Sequence, residues 1–553
     1  MASSPASLAA LSLLLLSSAC QPTKPSPEAQ PPVTVTPTPA PTVSYQPLSA
    51  RQLLIRWSLE LRGVRPTVSE YALVEQDPAS LDILLEQFLR DARFEGRIRD
   101  LYAPVFRTRL DAFPVDAQSY GLEDDAAFQL AVGEEPLRIF GRVVAQDLPY
   151  TALVTADWTM SNELLGKAWP LDYPSSATGW QQAHYTDGRP PAGVLSTNAL
   201  WWRYPSDGSN YNRGRANALS RIFLCNDYSA RPVSFERGID LSNQEQVNSA
   251  LKSNPACVNC HSSLDALAGH LFGFQYVVKD EPLEASVYHA ERERLWMTTT
   301  EVAPSYFGTP TYTLRDLGQS LAGDPRFVEC AVQHAYELLL DRPVTLADFE
   351  ALTAHREVFL AGGLTLRPLL KAVVQDVRYR SLSGEGAVGL KVVSPQLLAS
   401  QVEDLTGYRF YVKGDDMLAL DQLGLRSLAG GEDGQSGASP LRMPTPSMVL
   451  VQARLAEAAA FYVATQDASS EGAKRLFTDI TFTETVDTGR AAMVKQLQSL
   501  HRRLFGTVVT PEGPEVAAGL DLWSQLYAVS GEPLRAWAGV LSVLLRDPEF
   551  VTY

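Results

Sequence analysis

The residues best suited to chemistry are Cys257-Val258-Asn259-Cys260-His261. Two thiols three positions apart share one turn of backbone, the spacing that forms thioethers to the two vinyl groups of a haem. The adjacent imidazole then falls beneath the iron as its proximal ligand. By composition alone such a pentapeptide arises roughly 0.0006 times in a chain of this kind, so chance explains it poorly. A redox dithiol, half of a zinc site and a plain disulfide use the same thiol spacing. No second C-x-x-C accompanies this one. The expected cofactor is one covalent haem c, held by Cys257 and Cys260, with His261 on the metal.

For the opposite face of the iron the sequence offers Met297, His289, His270, His184 and Met160. Met297 is the preferred second metal ligand: it lies 36 residues beyond His261 and beside Trp296, a separation like that of class I cytochromes. Its plain alternative is core packing beside a tryptophan. His270 follows His261 too closely to reach the other face. Arg213 and Arg215, with Arg221, are candidates for bidentate contact with haem propionates; the alternative is that they brace loops. Of the five cysteines, Cys20 suits a lipid and two suit haem, which leaves Cys225 and Cys330 to pair with each other in an oxidising compartment or to remain as buried free thiols.

Gly193-Val194-Leu195-Ser196, Asn212-Arg213-Gly214-Arg215, Leu224-Cys225, then Cys257 to His261 with Asp265, and finally Cys330 occur in that order. Over residues 50–382 the chain thereby resembles planctomycete and myxobacterial cytochrome-like exported domain families of unknown function. Residues 50–105 resemble their companion N-terminal domain, with a G-x-x-P-T start at Gly63 to Thr67. Relatives usually follow the aspartate with Pro and Gly, whereas here Asp265 is followed by Ala266-Leu267-Ala268 and only then Gly269. The resemblance implies haem binding and export, with no established reaction.

The elements that must position these residues read as helices. Three segments share a pattern that closes on Asp91, Asp376 and Asp547. Ten residues before each aspartate stand Leu81, Leu366 and Trp537; further apolar residues stand seven, six, three and two before it, and Phe94, Tyr379 or Phe550 stands three after. That spacing puts the apolar members on one helical face. Asp77, Thr365 and Ser530 are the expected N-caps of the second helix in each pair, with Pro78, Pro368 and Pro533 in its first turn. Further helices are expected at 134–146, 245–253, 394–405, 447–464 and 487–504. Residues 168–215, rich in Trp, Tyr, Gly, Pro and Asn, read as a long ordered loop region.

Lys+Arg 47 against Asp+Glu 63 gives a net charge of −16, a surface field that repels phosphate backbones. Nucleic-acid binding is therefore not expected. Leu8 to Leu16 followed by small residues up to Cys20 has the layout of an export signal with a lipoprotein processing site; ordinary cleavage and a mis-set start codon are the alternatives. Residues 21–47 carry nine of the 37 prolines, a stalk that would reach at most about 85 Å at ~3.1 Å per residue.

The fold class expected is mainly α: a multi-domain helical protein with a c-type haem segment and a repeated helix-turn-helix module. Its divisions are a signal at 1–20, a linker at 21–47, an N-terminal helical domain at 48–167, the haem domain at 168–323, a helical repeat domain at 324–385 and a C-terminal helical domain at 386–553. The expected function is single-electron transfer by a lipid-anchored protein of the periplasm or cell surface, the outer membrane favoured, with an unspecified redox partner. The rivals are a peroxidase- or oxidase-like haem enzyme using His184 or His289 as a base, and a surface carbohydrate- or protein-binding lipoprotein using Trp201, Trp202, Tyr204 and Tyr211.

Overall fold

Capping chemistry sets where the first helices begin. Ser49 and Gln52 exchange side-chain and backbone hydrogen bonds in a capping box that opens α1 (Ala50–Arg62), which ends on Gly63 at φ 74°. Thr67 and Glu70 do the same for α2 (Val68–Gln76), and α3 (Ser80–Phe88) and α4 (Phe94–Phe106) complete the N-terminal layer. The computed structural model describes residues 44–553 apart from 207–209, 233–238, 241, 276–281, 413–414, 420, 422–423 and 435–439. Cys20, the expected signal and the expected stalk up to residue 43 lie outside the described residues.

Helix outweighs strand, 59% to 4%, so the molecule is mainly α. Asp124 caps α5 (Asp125–Ala145), which runs unbroken through Pro136. The short helices α6 (Ala152–Thr155), α7 (Glu163–Ala168) and α8 (Asn198–Arg203) follow, then α9 (Arg213–Leu224), α10 (Gln244–Ser253), α11 (Pro255–Ala268) and α12 (Pro282–Ser286). Next come α13 (Leu314–Ala322), α14 (Pro325–Leu340), α15 (Phe349–Ala361) and α16 (Leu366–Val374). The last part holds α17 (Pro395–Thr406), α18 (Leu425–Leu428), α19 (Pro446–Ser469), α20 (Arg490–Phe505), α21 (Pro514–Ser530), α22 (Pro533–Leu544) and α23 (Pro548–Val551). The strands are short antiparallel pairs: β1 (Gln46–Pro47) with β6 (Ser381–Ser383), β2 (Thr159–Ser161) with β3 (Gln181–Ala183), β4 (Ser305–Tyr306) with β5 (Thr309–Pro310), and β7 (Tyr411–Val412) with β8 (Asp415–Asp416).

The three segments with the shared pattern are helix pairs, α2 with α3, α15 with α16 and α21 with α22. Their closing aspartates behave alike. The Asp91, Asp376 and Asp547 Oδ1 atoms accept from the backbone N–H two residues on, at 2.9, 2.8 and 2.8 Å, and Phe94, Tyr379 and Phe550 are buried just beyond. The caps differ from expectation. Asp77 binds the Ala79 N–H in the turn before α3, Thr365 stands at the cap of α16 without a side-chain bond to its first turn, and Ser530 is the last residue of α21 while Glu532 caps α22.

Residues 44–553 form one compact unit. Its apolar core runs from Leu48 to Tyr553 across the borders expected at 167, 323 and 385. Trp57 donates to the Val374 carbonyl at 3.1 Å, which ties α1 to α16. Glu60 in α1 is wholly buried; burial pushes its carboxyl up, but Lys391 and Arg97 outweigh that and hold it below the usual range. Helix α19 is, among the described residues, long and apolar enough by composition to cross a membrane. It packs on α17, α18 and α22, burying Val451, Leu455, Ala459 and Val463.

Candidate functional site

The C-x-x-C-H residues lie on α11, where Asn254 accepts from the Ala256 N–H at 2.9 Å and Pro255 takes the first position, which needs no N–H partner. Helical spacing then puts Cys257, Cys260, His261 and Asp265 along one side. Cys257 and Cys260 are free thiols, half-buried. The His261 Nδ1 lies 2.9 Å from Asp265 Oδ1. Asp265 is in turn gripped by the fork of Arg213, the first residue of α9, with Nε at 2.7 Å and Nη2 at 2.9 Å. Burial raises the Asp265 carboxyl, but hydrogen bonds from His261 and Arg213 hold it below its ordinary value, so it stays an acceptor. In a ring carrying one proton, the contact with Asp265 places that proton on Nδ1 and would leave the Nε2 lone pair for a metal.

His261 borders a cavity of about 490 Å³ walled by α9, α10 and α11. Val247, Ala250, Leu251, Ala256 and Leu264 make it apolar, and Arg213, Tyr228 and both thiols line it as well. Its size falls in the ordinary range for ligand cavities, ~300–1,000 Å³. Free thiols one turn apart, an oriented imidazole and an apolar chamber fit a covalently attached haem. Helix α11 continues through Ala266-Leu267 to Ala268, and a 3₁₀ turn follows over Gly269–Phe274.

The structure does not bring the other metal candidates to this cavity. Met297 is 56% exposed on a short 3₁₀ turn and does not line it. His270 is buried between the Leu267 carbonyl and Thr311 Oγ1. His289 meets Glu291 and the Glu284 carbonyl, His184 pairs with Asp172, and Met160 is buried in β2. Arg215 also departs from expectation: its guanidinium is buried against the carbonyls of Tyr204, Phe274 and Trp201, so it braces the loop before α9. Arg221 does likewise with Val105 and Tyr204. The aromatic loop is a correction too. Trp201 and Trp202 sit in α8 at 1% and 5% exposure, inside the core and unable to present rings to a sugar.

Cys225 and Cys330 are joined, with Sγ atoms 2.12 Å apart. The bridge fastens the end of α9 to α14, and His334, which sequence reasoning passed over, stands with Nε2 3.3 Å from Cys330 Sγ. Because two of its three members are disulfide-bonded, this group is not a thiolate metal site. Sequence reasoning also passed over Tyr228 and Arg231 near the thiols; Arg231 Nη1 is 3.9 Å from Cys260 Sγ. Neither carries a spacing signal. Asp265 did: it stands four residues after His261, one helical turn. Comparison with protein-family models, with curated proteins and with solved structures finds no match to this chain.

Proposed function

We propose that this chain is an exported protein carrying one haem bound through Cys257 and Cys260, with His261 on the iron, and that it passes single electrons. The observation that carries the reading is the line Arg213–Asp265–His261, ending at an imidazole that lines an apolar cavity together with two free thiols. When bound, the haem supplies a one-electron Fe(III)/Fe(II) couple. The protein's part is to fix the ring of His261, enrich its electron density through Asp265, and exclude water with the α10 and α11 side chains. The alike closing turns of the three helix pairs support a repeated module whose role is structural, a docking platform rather than a site. Cys20 would anchor the chain to the outer membrane, with the proline-rich stalk between lipid and body.

The cavity lining bears on the enzyme reading in two ways: neither Met297 nor any of the four other candidate ligands lines it, which suits an open sixth position but leaves that reading without His184 or His289 as its base. Peroxidase staining after denaturing electrophoresis tests attachment. The wild type from cells competent in cytochrome c maturation should stain and the Cys257→Ser/Cys260→Ser variant should not; a colourless wild type overturns the proposal. Oxidised and reduced absorption spectra then separate the readings, low-spin six-coordinate iron for transfer and high-spin iron for catalysis. Fatty-acid labelling that marks the wild type but not Cys20→Ala checks the anchor.

A further inference from the structure

A second cavity, of about 420 Å³, lies where α4, α5, the end of the β2–β3 hairpin, α17 and α18 meet. Four guanidiniums line it, Arg99, Arg109, Arg138 and Arg426, against two carboxylates, Asp100 and Glu134. Further carboxylates stand close behind this lining, Asp111 on Arg426, Glu432 near Arg109 and Glu95 near Arg138, so what matters is how each guanidinium is bonded.

Three of the four are occupied. Arg99 and Arg109 both bond Glu134, Arg109 also meets Asp100 at 2.8 Å, and Arg426 donates to the Ala419 carbonyl at 2.7 Å and to Asp111 at 3.1 Å. Arg138 differs. Its Nε is 3.5 Å from a Glu134 oxygen already shared with Arg99, its guanidinium rests 4.8 Å over the Trp180 ring, and among the described residues none of its N–H groups has a hydrogen-bond acceptor. Burial first, then the nearby charges of Arg99 and Arg109, pull this guanidinium down to about 10 against the opposing pull of Glu134 and Glu95.

The frame holding that cation is built. Ser161 pairs with Gln181 in the β2–β3 ladder, so Asn162 and Trp180, the next residues outward, close the hairpin beside each other. Asn162 Oδ1 caps α7 at the Leu165 N–H, which leaves its amide NH2 as donor. Ala127, Leu130, Ala131, Leu164 and Leu418 supply an apolar wall. One open planar fork matches one carboxylate, and the apolar wall and volume suit an organic body rather than a bare ion.

We propose that this cavity binds a small organic monocarboxylate, its carboxylate on the Arg138 fork and its apolar body against the leucine and alanine wall. The test is calorimetric titration of the full-length exported protein with benzoate, hexanoate, benzyl alcohol and inorganic phosphate. Benzoate or hexanoate should bind at one site per chain, with benzyl alcohol and phosphate at least about tenfold weaker, as loss of a charge-assisted fork or of the apolar contact implies. Arg138→Gln should weaken the carboxylate by about tenfold or more. Arg138→Lys keeps the charge beside Glu134 but not the fork, and should fall between the two. Circular dichroism checks that both variants fold. Absence of saturable carboxylate binding, phosphate binding as tight as benzoate, or unchanged affinity in Arg138→Lys and Arg138→Gln would each overturn the proposal.

Discussion

Asp265 Oδ1 accepts from both His261 and Arg213, so the charge on one carboxylate reaches the imidazole and whatever that imidazole ligates. Asp265→Asn keeps the shape and removes the charge. In the haem-loaded protein the midpoint potential should rise, on the order of 60 mV if the one-electron equilibrium changes tenfold. A redox titration that finds both proteins at the same potential refutes the coupling. Glu135, on α5, is a separate case. It is fully buried and accepts from Thr159 and Tyr185, both at 2.8 Å. Burial outweighs those bonds and raises its carboxyl to about 7. A raised carboxyl binds its proton more tightly in the folded state than in the unfolded one, so stability declines as pH rises from about 4.5 through about 7. Melting curves should show the wild type losing stability across that window relative to Glu135→Gln, whose amide does not titrate; parallel curves would refute it.

Helix α13 approaches α6 so closely that a Cβ on Gly318 would lie 2.0 Å from the Val154 carbonyl oxygen. Backbone has little room to yield, and Gly318→Ala should cost about 1–3 kcal/mol, read as a lower melting temperature. Contacts of this kind were invisible in the sequence, where Gly318 is one glycine among 36. What was legible was periodic: the expected helices at 245–253, 394–405 and 447–464 match α10, α17 and the first part of α19 because cap and apolar stripe agree. The helix expected at 134–146 begins at Asp125 instead, since Asp124 caps it and the chain continues helical through Pro136. Helix α8 was hidden by composition, because Trp201 and Trp202 belong to a buried helix within a stretch that otherwise reads as loop. At the site, the thiols, His261 and the later pairing of Cys225 with Cys330 follow from local spacing and cysteine counting. The placements of Met297 and Arg215 depend on long-range packing that no spacing encodes.

For the whole molecule, the Cys225–Cys330 bridge spans 105 residues and encloses α11 with its Cys257-to-His261 motif. A loop of that size is assigned roughly 4.7 kcal/mol by the chain-entropy model. Cys225→Ser/Cys330→Ser should therefore melt well below the wild type, and an unchanged melting temperature would mean the bridge does not restrain the unfolded chain. The same bridge sets a problem of timing. If the chain is exported as proposed, Cys225 emerges first of the four body cysteines, Cys257 follows 32 residues later, and Cys330 comes last. Four thiols permit three complete pairings, and an oxidant acting on the emerging chain meets Cys225 with Cys257 and Cys260 before its proper partner arrives. Under the proposed function a mature molecule would then require that Cys257 and Cys260 be kept reduced, or already bound, until Cys330 is delivered. The yield of intact protein becomes a contest between oxidation and attachment rates, decided before the fold is complete.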